Sequence, residues 1–391
     1  MIAEYESKDE IKKVQTKRKM KICHLSSAHK STDARIFIKE CTSLVNNGYE
    51  VSLIAVGPSD INPIIRIISF PVLPRFKRIL IGPRMMLRMA LKENADIYHL
   101  HDPELLTIAL KLKRNGKKVI FDSHEHVSEQ IRYKEYLPRF LRNVVARLYK
   151  KYEQHIVSKI DGVIVVTPSQ LPVFNEVQKN LEMVTNYPIL DLANNNHKED
   201  QPLTRTAVSK QLCFAGGVST QWCHQIIIES VLSVEKCTYQ FAGPIESQEY
   251  LDNLERLYAK SDRIEYLGII DRNEVNALYD NSFCGIALLS YETQTGKTGT
   301  LGNTKLFEYM QHSLPIICSD LLLWKEIIEE YDCGITVDPT SKDQIINAIS
   351  FLLDNPERAL QMGRNGYRAY REKYNWDTQI PNLLRVYEAI K

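Results

Sequence analysis

Twelve short runs rich in valine and isoleucine, separated by longer stretches of helical period, restrict the possible folds of this chain more than any other feature. Six precede residue 190: 21–27 (KICHLSS), 50–56, 65–70, 97–101, 118–124 and 162–167. Six follow residue 210: 211–217, 237–243, 264–268, 284–290, 314–320 and 333–338. A continuous apolar run of this length fits a strand covered on both faces. Helices between successive strands dictate parallel pairing, because parallel neighbours require a crossover.

The length, 391 residues, exceeds one ordinary core. The expected fold class is therefore α/β, with two Rossmann-like domains facing each other across a cleft. The polar stretch 187–210, with three consecutive asparagines, lacks usable periodicity and reads as the connection. The expected organisation is a flexible leader over 1–19, a first domain over 20–190, a linker over 191–210 and a second domain over 211–373. A C-terminal helix over 374–391 is free to pack back toward the first domain. Parallel sheets bind ligands at the carboxyl ends of their strands, so two in tandem place the site between domains.

The eight cysteines are scattered through apolar runs without metal-binding or redox spacing, and read as reduced core residues of a cytoplasmic protein. No apolar stretch approaches the ~20 residues that span a bilayer, and the leader lacks the apolar segment of a signal peptide. The formal charge of +2 hides an asymmetry: residues 1–190 hold 31 Lys+Arg against 20 Asp+Glu, the remainder 19 against 28. A basic half points to an anionic partner. Nucleic acid is disfavoured, because no recognised reader motif accompanies the charge.

The stretch GNTKLFEYMQHSLPIICSD (302–320) poses a sharper question. Asn303 or Thr304 can cap a helix starting near Lys305, which puts a cation in a first turn where it opposes the macrodipole by roughly 0.3–1 kcal/mol. Lys305 and Glu308 share a face. Either they form an exposed ion pair, or an anion such as a diphosphate docks there, with Glu308 accepting from two ribose hydroxyls. Gly216 and Gly217, after the first strand of the second half, suit close backbone approach to a phosphate.

The run NTKLFEYMQHSLPIICSDLLLWKEIIEEYDCGITVDP resembles the donor-binding signature of the family-four (group 1) nucleotide-sugar glycosyltransferases, which have the GT-B fold. HKSTDARIFIKECTSLVNNGYEVSLIAVG, DIYHLHDPELLTIALKLKRNGKKVIFDSHEH and MGRNGYRAYREKYNWD agree with it in order and spacing, so the resemblance covers nearly all of residues 20–391. It implies that Glu308 binds ribose and Lys305 the diphosphate, with the loop Thr300, Leu301, Gly302, Asn303 and Thr304 supplying further donor contacts. The family's first acid of a glutamate pair is replaced by Thr300. Its arginine and lysine near the leaving group are replaced by Gly217 and Cys223, leaving Lys305 as the first source of charge and Lys297 and His224 as weaker ones.

The resemblance places His124, at a strand end, against the donor sugar near the reacting carbon; a loop histidine bonded to backbone is the plainer reading. His101, Asp102 and Glu104, with Glu125, are candidates for binding acceptor hydroxyls or holding His124. His29, Asp33 and Arg35 stand where an acceptor should enter, although Arg35 could equally pair with Asp33 or Glu40. His124, Lys305 and Glu308 form the catalytic set. No metal ligand set is assigned and no cofactor beyond the nucleotide sugar is expected.

Two basic stretches, 75–93 and 132–159, interleave Arg and Lys with large apolar residues, the pattern of helices that lie on anionic lipid. A helix with one face in the core gives the same pattern. The expected activity is retaining, metal-independent transfer of a hexosyl group from a nucleotide diphosphate sugar. The acceptor would be a lipid-linked or polysaccharide molecule of a bacterial cell envelope, met at the inner face of the plasma membrane. A nucleotide-sugar epimerase of the same fold, or a catalytically weak binding subunit, are the alternatives.

Overall fold

In the computed structural model, residues 18–59, 62–124, 126–133, 137–190 and 210–391 are described. The expected leader and linker therefore lie almost wholly outside the described residues, as does Glu125.

The first sheet comprises β1 (Lys21–Lys30), β2 (Glu50–Val56), β3 (Arg66–Phe70), β4 (Ile97–Leu100), β5 (Lys118–Ser123), β6 (Gly162–Val165) and β7 (Leu181–Met183). The second comprises β8 (Gln211–Ala215), β9 (Thr238–Ala242), β10 (Ile264–Tyr266), β11 (Cys284–Ala287), β12 (Ile316–Ser319) and β13 (Gly334–Val337). Every pairing is parallel, in the orders β3-β2-β1-β4-β5-β6-β7 and β10-β9-β8-β11-β12-β13. Both orders reverse direction beside the first strand, the topological switch point where open sheets bind ligands. The twelve runs read from the sequence each contain a strand. The thirteenth strand, β7, escaped because three residues, Leu-Glu-Met, carry no β-branched signature.

One large apolar cluster fills the second domain, and two smaller ones cover the faces of the first sheet. The chain end belongs to the latter. Trp376, Leu383, Val386, Tyr387 and Ile390 pack among Ile22, Ile36, Leu44 and Ile97. Trp376 Nε1 donates to Ser43 Oγ at 2.9 Å and Asn382 to the carbonyl of Met183 at 3.0 Å. Helix Ile380–Glu388 is thus part of the first domain's core although it follows the second in sequence.

After β1 the chain forms a π-helix, Ala34–Cys41, capped by Asp33, which accepts from the N–H groups of Arg35 and Ile36. Its i→i+5 bonding aligns residues five apart, so Arg35 and Glu40 both turn inward. All eight cysteines are free thiols, and all but Cys223 are buried. Among the described residues, no helix is long and apolar enough to cross a membrane.

Candidate active site in the interdomain cleft

The second domain supplies the side chains singled out in 302–320. Helix Lys305–Gln311 starts where the sequence reading places it, with Thr304 at the N-cap position but without a side-chain capping bond. Thr304 is itself helical, and its hydroxyl donates to Glu308 Oε1 at 3.1 Å instead. Glu308 also accepts from Arg272 at 3.1 Å and from the Tyr279 hydroxyl at 2.9 Å. Arg272 and Tyr279 lie seven residues apart on one face of helix Arg272–Asn281 and hold the carboxylate in a fixed orientation. Burial alone would raise the Glu308 carboxyl, but the Arg272 and Lys305 charges keep it below its ordinary range.

Lys305 does not pair with Glu308. Among the described residues its ammonium has no carboxylate within ion-pair distance. It lies over the rings of Trp222, at 4.4 Å from the centroid, and Phe214, at 5.0 Å. Burial pushes its pKa down, with Glu308 opposing. This position depends on Gly216, whose φ is +155°: a Cβ there would stand 2.3 Å from Lys305 Nζ. Gly217 is not demanded in this way, since a side chain there would meet open space.

The remaining donor-loop candidates are divided. Thr300 Oγ1 accepts from the N–H of Gly302 at 3.0 Å, and its carbonyl accepts from Trp324 Nε1 at 2.8 Å. Leu301 is buried in the second domain's core. Gly302 is exposed and faces Thr167 of the first domain. His224, a reserve source of charge in the sequence reading, cannot serve: it is fully buried against Phe214 and Phe241, and burial brings it down to about 3. Lys297 rests over the Tyr291 ring.

The first domain presents His124 at the end of β5. It lines a cavity of about 190 Å³ together with Thr300, Gly302 and Asn303 from across the cleft. Its Nε2 meets His29 Nε2 at 3.2 Å, and His29 contacts Asp33 at 3.3 Å. Burial would raise Asp33, but hydrogen bonds from His29 and the Ile36 N–H bring it to about 2. Adjacent cavities of about 400 Å³, beside Trp222 and Thr300, and about 710 Å³, beside Glu308, also span the two domains. A further cavity of about 490 Å³, containing His29, Asp102, Glu104 and His124, lies within the first domain.

Arg35, read as standing at the acceptor entrance or pairing with Asp33 or Glu40, is interior and lies 3.1 Å from Glu40; His101, read as binding acceptor hydroxyls or holding His124, is interior too. Arg35 forms a two-pronged pair with Asp122 at 2.8 and 3.0 Å and donates to the Val184 carbonyl. His101 is fully buried and meets Asp122 at 3.3 Å and His24 at 2.9 Å. Asp102 reaches the 490 Å³ cavity but uses its carboxylate on Ser26, Ser27 and Ala28, organising the loop after β1. Glu104 accepts from Ser27 and pairs with Arg78 at 2.8 Å.

Sequence reasoning missed Asp122, Arg272, Tyr279, Trp222 and Lys39. Lys39 lines the 710 Å³ cavity opposite Glu308, bound to Asn186 at 2.6 Å, and burial brings its ammonium down to about 7. Only the strand end FDS carried a signal for Asp122; the others sit in elements whose positions the sequence does not give.

Comparison with known proteins agrees across most of the chain. The model of Glycosyltransferase Family 4 matches residues 35–177, and that of Glycosyl transferases group 1 matches residues 199–369. Sucrose-phosphate synthase from Thermosynechococcus elongatus superposes with a TM-score of 0.70 at 16% identity, over 95% of this chain and 98% of that one. Anabaena Alr3699/HepE, solved in complex with UDP and glucose, does so at 0.70 and 12%, over 95% and 100%. WaaG, a glycosyltransferase involved in lipopolysaccharide biosynthesis, gives 0.65 and 12%, over 93% and 98%. A search of curated protein sequences finds no match. With both halves matched by the paired family models and the two sheets in GT-B arrangement, this chain belongs to the family-four, group 1 glycosyltransferases.

Proposed function

We propose that this protein transfers a hexosyl group from a nucleotide diphosphate sugar to a lipid-linked or polysaccharide acceptor, with retention at the anomeric carbon and without an obligatory metal. The observation that carries the reading is Lys305: a half-buried ammonium beside the glycine turn after β8, with no carboxylate partner among the described residues. An unpaired cation in such surroundings is costly unless a ligand anion completes it.

In this reading Glu308 takes the ribose hydroxyls in the 710 Å³ cavity, Lys305 the diphosphate, and the sugar lies between Thr300, Asn303 and His124. The acceptor oxygen attacks C1 from the face the phosphate leaves. The C1–O bond to phosphate breaks, the new C1–O bond forms on the same face, and the acceptor proton passes to the departing phosphate oxygen. Lys305 stabilises charge as it develops there. His124, steadied by His29, stabilises the sugar without abstracting a proton. The nucleotide complexes of HepE support the donor class.

The acceptor side has an apolar and basic rim. Phe76, Leu80, Phe140, Val144 and Leu148 are exposed, Phe76 and Phe140 by 75% and 76%. In helix Arg139–Val157, only Ala146, Glu153, Ile156 and Val157 are buried, so most of its apolar residues do not serve the core. This supports docking on an anionic membrane surface, at the inner face of a bacterial plasma membrane, with the 490 Å³ cavity at the rim. Incubation of the purified chain with labelled nucleotide sugars and a membrane acceptor fraction tests the proposal. Transfer to lipid or polysaccharide is expected; neither transfer nor donor hydrolysis with any common sugar would refute it.

A further inference from the structure

Beneath the cleft, four side chains of metal-ligating type meet in the first domain's interior. His24 on β1 and His99 on β4 are register partners on adjacent strands. His101 follows two residues after His99, and Glu40 reaches in from the π-helix. All four are completely buried. One ligand atom from each lies within 4.8 Å of all the others.

Three equal separations and one hydrogen-bond distance describe the cluster. Glu40 Oε2 stands 3.8 Å from His24 Nδ1, 3.8 Å from His99 Nδ1 and 3.8 Å from His101 Nε2. His24 Nδ1 and His101 Nε2 are 2.9 Å apart. The nearest point equidistant from His24 Nδ1, His101 Nε2 and Glu40 Oε2 lies in their plane, about 2.1 Å from each, within the bond lengths of zinc to imidazole nitrogen and carboxylate oxygen. A second observation points the same way. Among the described residues neither Glu40 oxygen accepts a hydrogen bond, although the residue is fully buried. Arg35 Nε lies 3.1 Å from Glu40 Oε1 but directs its N–H to Asp122. Buried carboxylate oxygens without a hydrogen bond are rare, and Oε2, turned to three imidazole nitrogens, marks a place for a ligand.

The surroundings suit a cation. His101 turns its other nitrogen to Asp122 at 3.3 Å, the carboxylate–histidine arrangement that orients a metal ligand, and Arg35 grips that aspartate on both oxygens. The Tyr387 hydroxyl, brought in by the C-terminal helix, meets His99 Nδ1 at 2.7 Å and lies 3.4 Å from His24 Nε2, so an ion taking His99 Nδ1 would displace that hydrogen bond. We infer that His24, Glu40, His99 and His101 form a buried structural site for a divalent cation of the zinc class, which three imidazoles and one carboxylate favour over magnesium or calcium. The ion would tie β1, β4 and the π-helix together below His124, away from the diphosphate and outside the transfer chemistry. The inference does not depend on the proposed activity.

The test uses the full chain made without a histidine tag. Metal content is measured by plasma mass spectrometry after dialysis, and cobalt(II) uptake by the chelator-stripped protein is followed in the visible spectrum. Expected results are one zinc-class ion per chain, an intense cobalt band of tetrahedral type, and a melting temperature lowered by stripping and restored by zinc. Glu40→Gln and His99→Ala should lose the ion, while His155→Ala, at an exposed histidine, should keep it. Protein that holds no metal and takes up neither zinc nor cobalt overturns the inference, as does an ion retained in both Glu40→Gln and His99→Ala. If those variants do not fold, the wild-type cobalt spectrum decides: a weak octahedral spectrum overturns the site, and a tetrahedral one upholds it.

Discussion

The two walls of the cleft treat positive charge in opposite ways. In the first domain Arg35 is closed inside the protein, with two bonds to Asp122, one to a carbonyl and Glu40 alongside. In the second, Lys305 lies over aromatic rings with no carboxylate in reach among the described residues, and Glu308, one turn on, is held by other groups. A cation matched by its own chain fixes shape, whereas an unmatched one is completed by something that binds. The first wall is built as scaffold and the second as receptor, although both sit at the ends of equivalent parallel strands.

The contrast can be broken most forcefully at Arg35. Arg35→Leu leaves Asp122 buried without its counter-charge and should cost about 3–5 kcal/mol in denaturant unfolding; a loss below about 1 kcal/mol would mean the network is not structural. Lys305→Met should do the reverse. Unfolding should shift by under ~1 kcal/mol, because no buried carboxylate is orphaned, while the transfer rate falls roughly 10²–10³-fold. A large stability loss with unchanged turnover would erase the distinction between the walls.

Smaller effects sharpen the comparison. Glu308→Ala should weaken nucleotide affinity about 100-fold in calorimetry, as hydrogen bonds to a charged group are lost; near-normal affinity would move the ribose elsewhere. Phe140→Glu should lower co-sedimentation with anionic vesicles about tenfold, the order of one buried aromatic side chain, and leave nucleotide binding intact. Unchanged sedimentation would assign the exposed rim another role. The last effect is a null change with pH. Because the Glu308 carboxyl is depressed, it stays ionised as pH falls from 7 to 5, and affinity should drop only below its ordinary 4.5. A decline in affinity centred at or above that value would show the carboxylate is not held down.

Much of the fold was legible because strand cores in a parallel sheet are apolar without interruption and helices repeat at another period, so each element carries its own mark. The run 284–290 needed no context to read as a strand. β7 and the π-helix left no such mark: one is too short, and the other depends on hydrogen bonding that composition does not record. Within the site, Lys305 stood out because a cation in a helix's first turn contradicts a local rule. Arg35 could not be resolved that way. Its neighbours in sequence, Asp33 and Glu40, were plausible partners, but Asp122 lies 87 residues away and takes both prongs.

By itself, then, the sequence determined two parallel α/β sheets, a helix beginning at Lys305 and a basic first half, because periodicity, local helix electrostatics and charge are properties of neighbours along the chain. Tertiary structure alone decided that Arg35 and His101 are interior, that Gly216 makes way for Lys305, and that Tyr387 meets His99 across 288 residues at 2.7 Å. Burial and ion pairing depend on which segments the sheets bring together, and a polar side chain is read as ligand-binding or structural only once its desolvation and its partners are known.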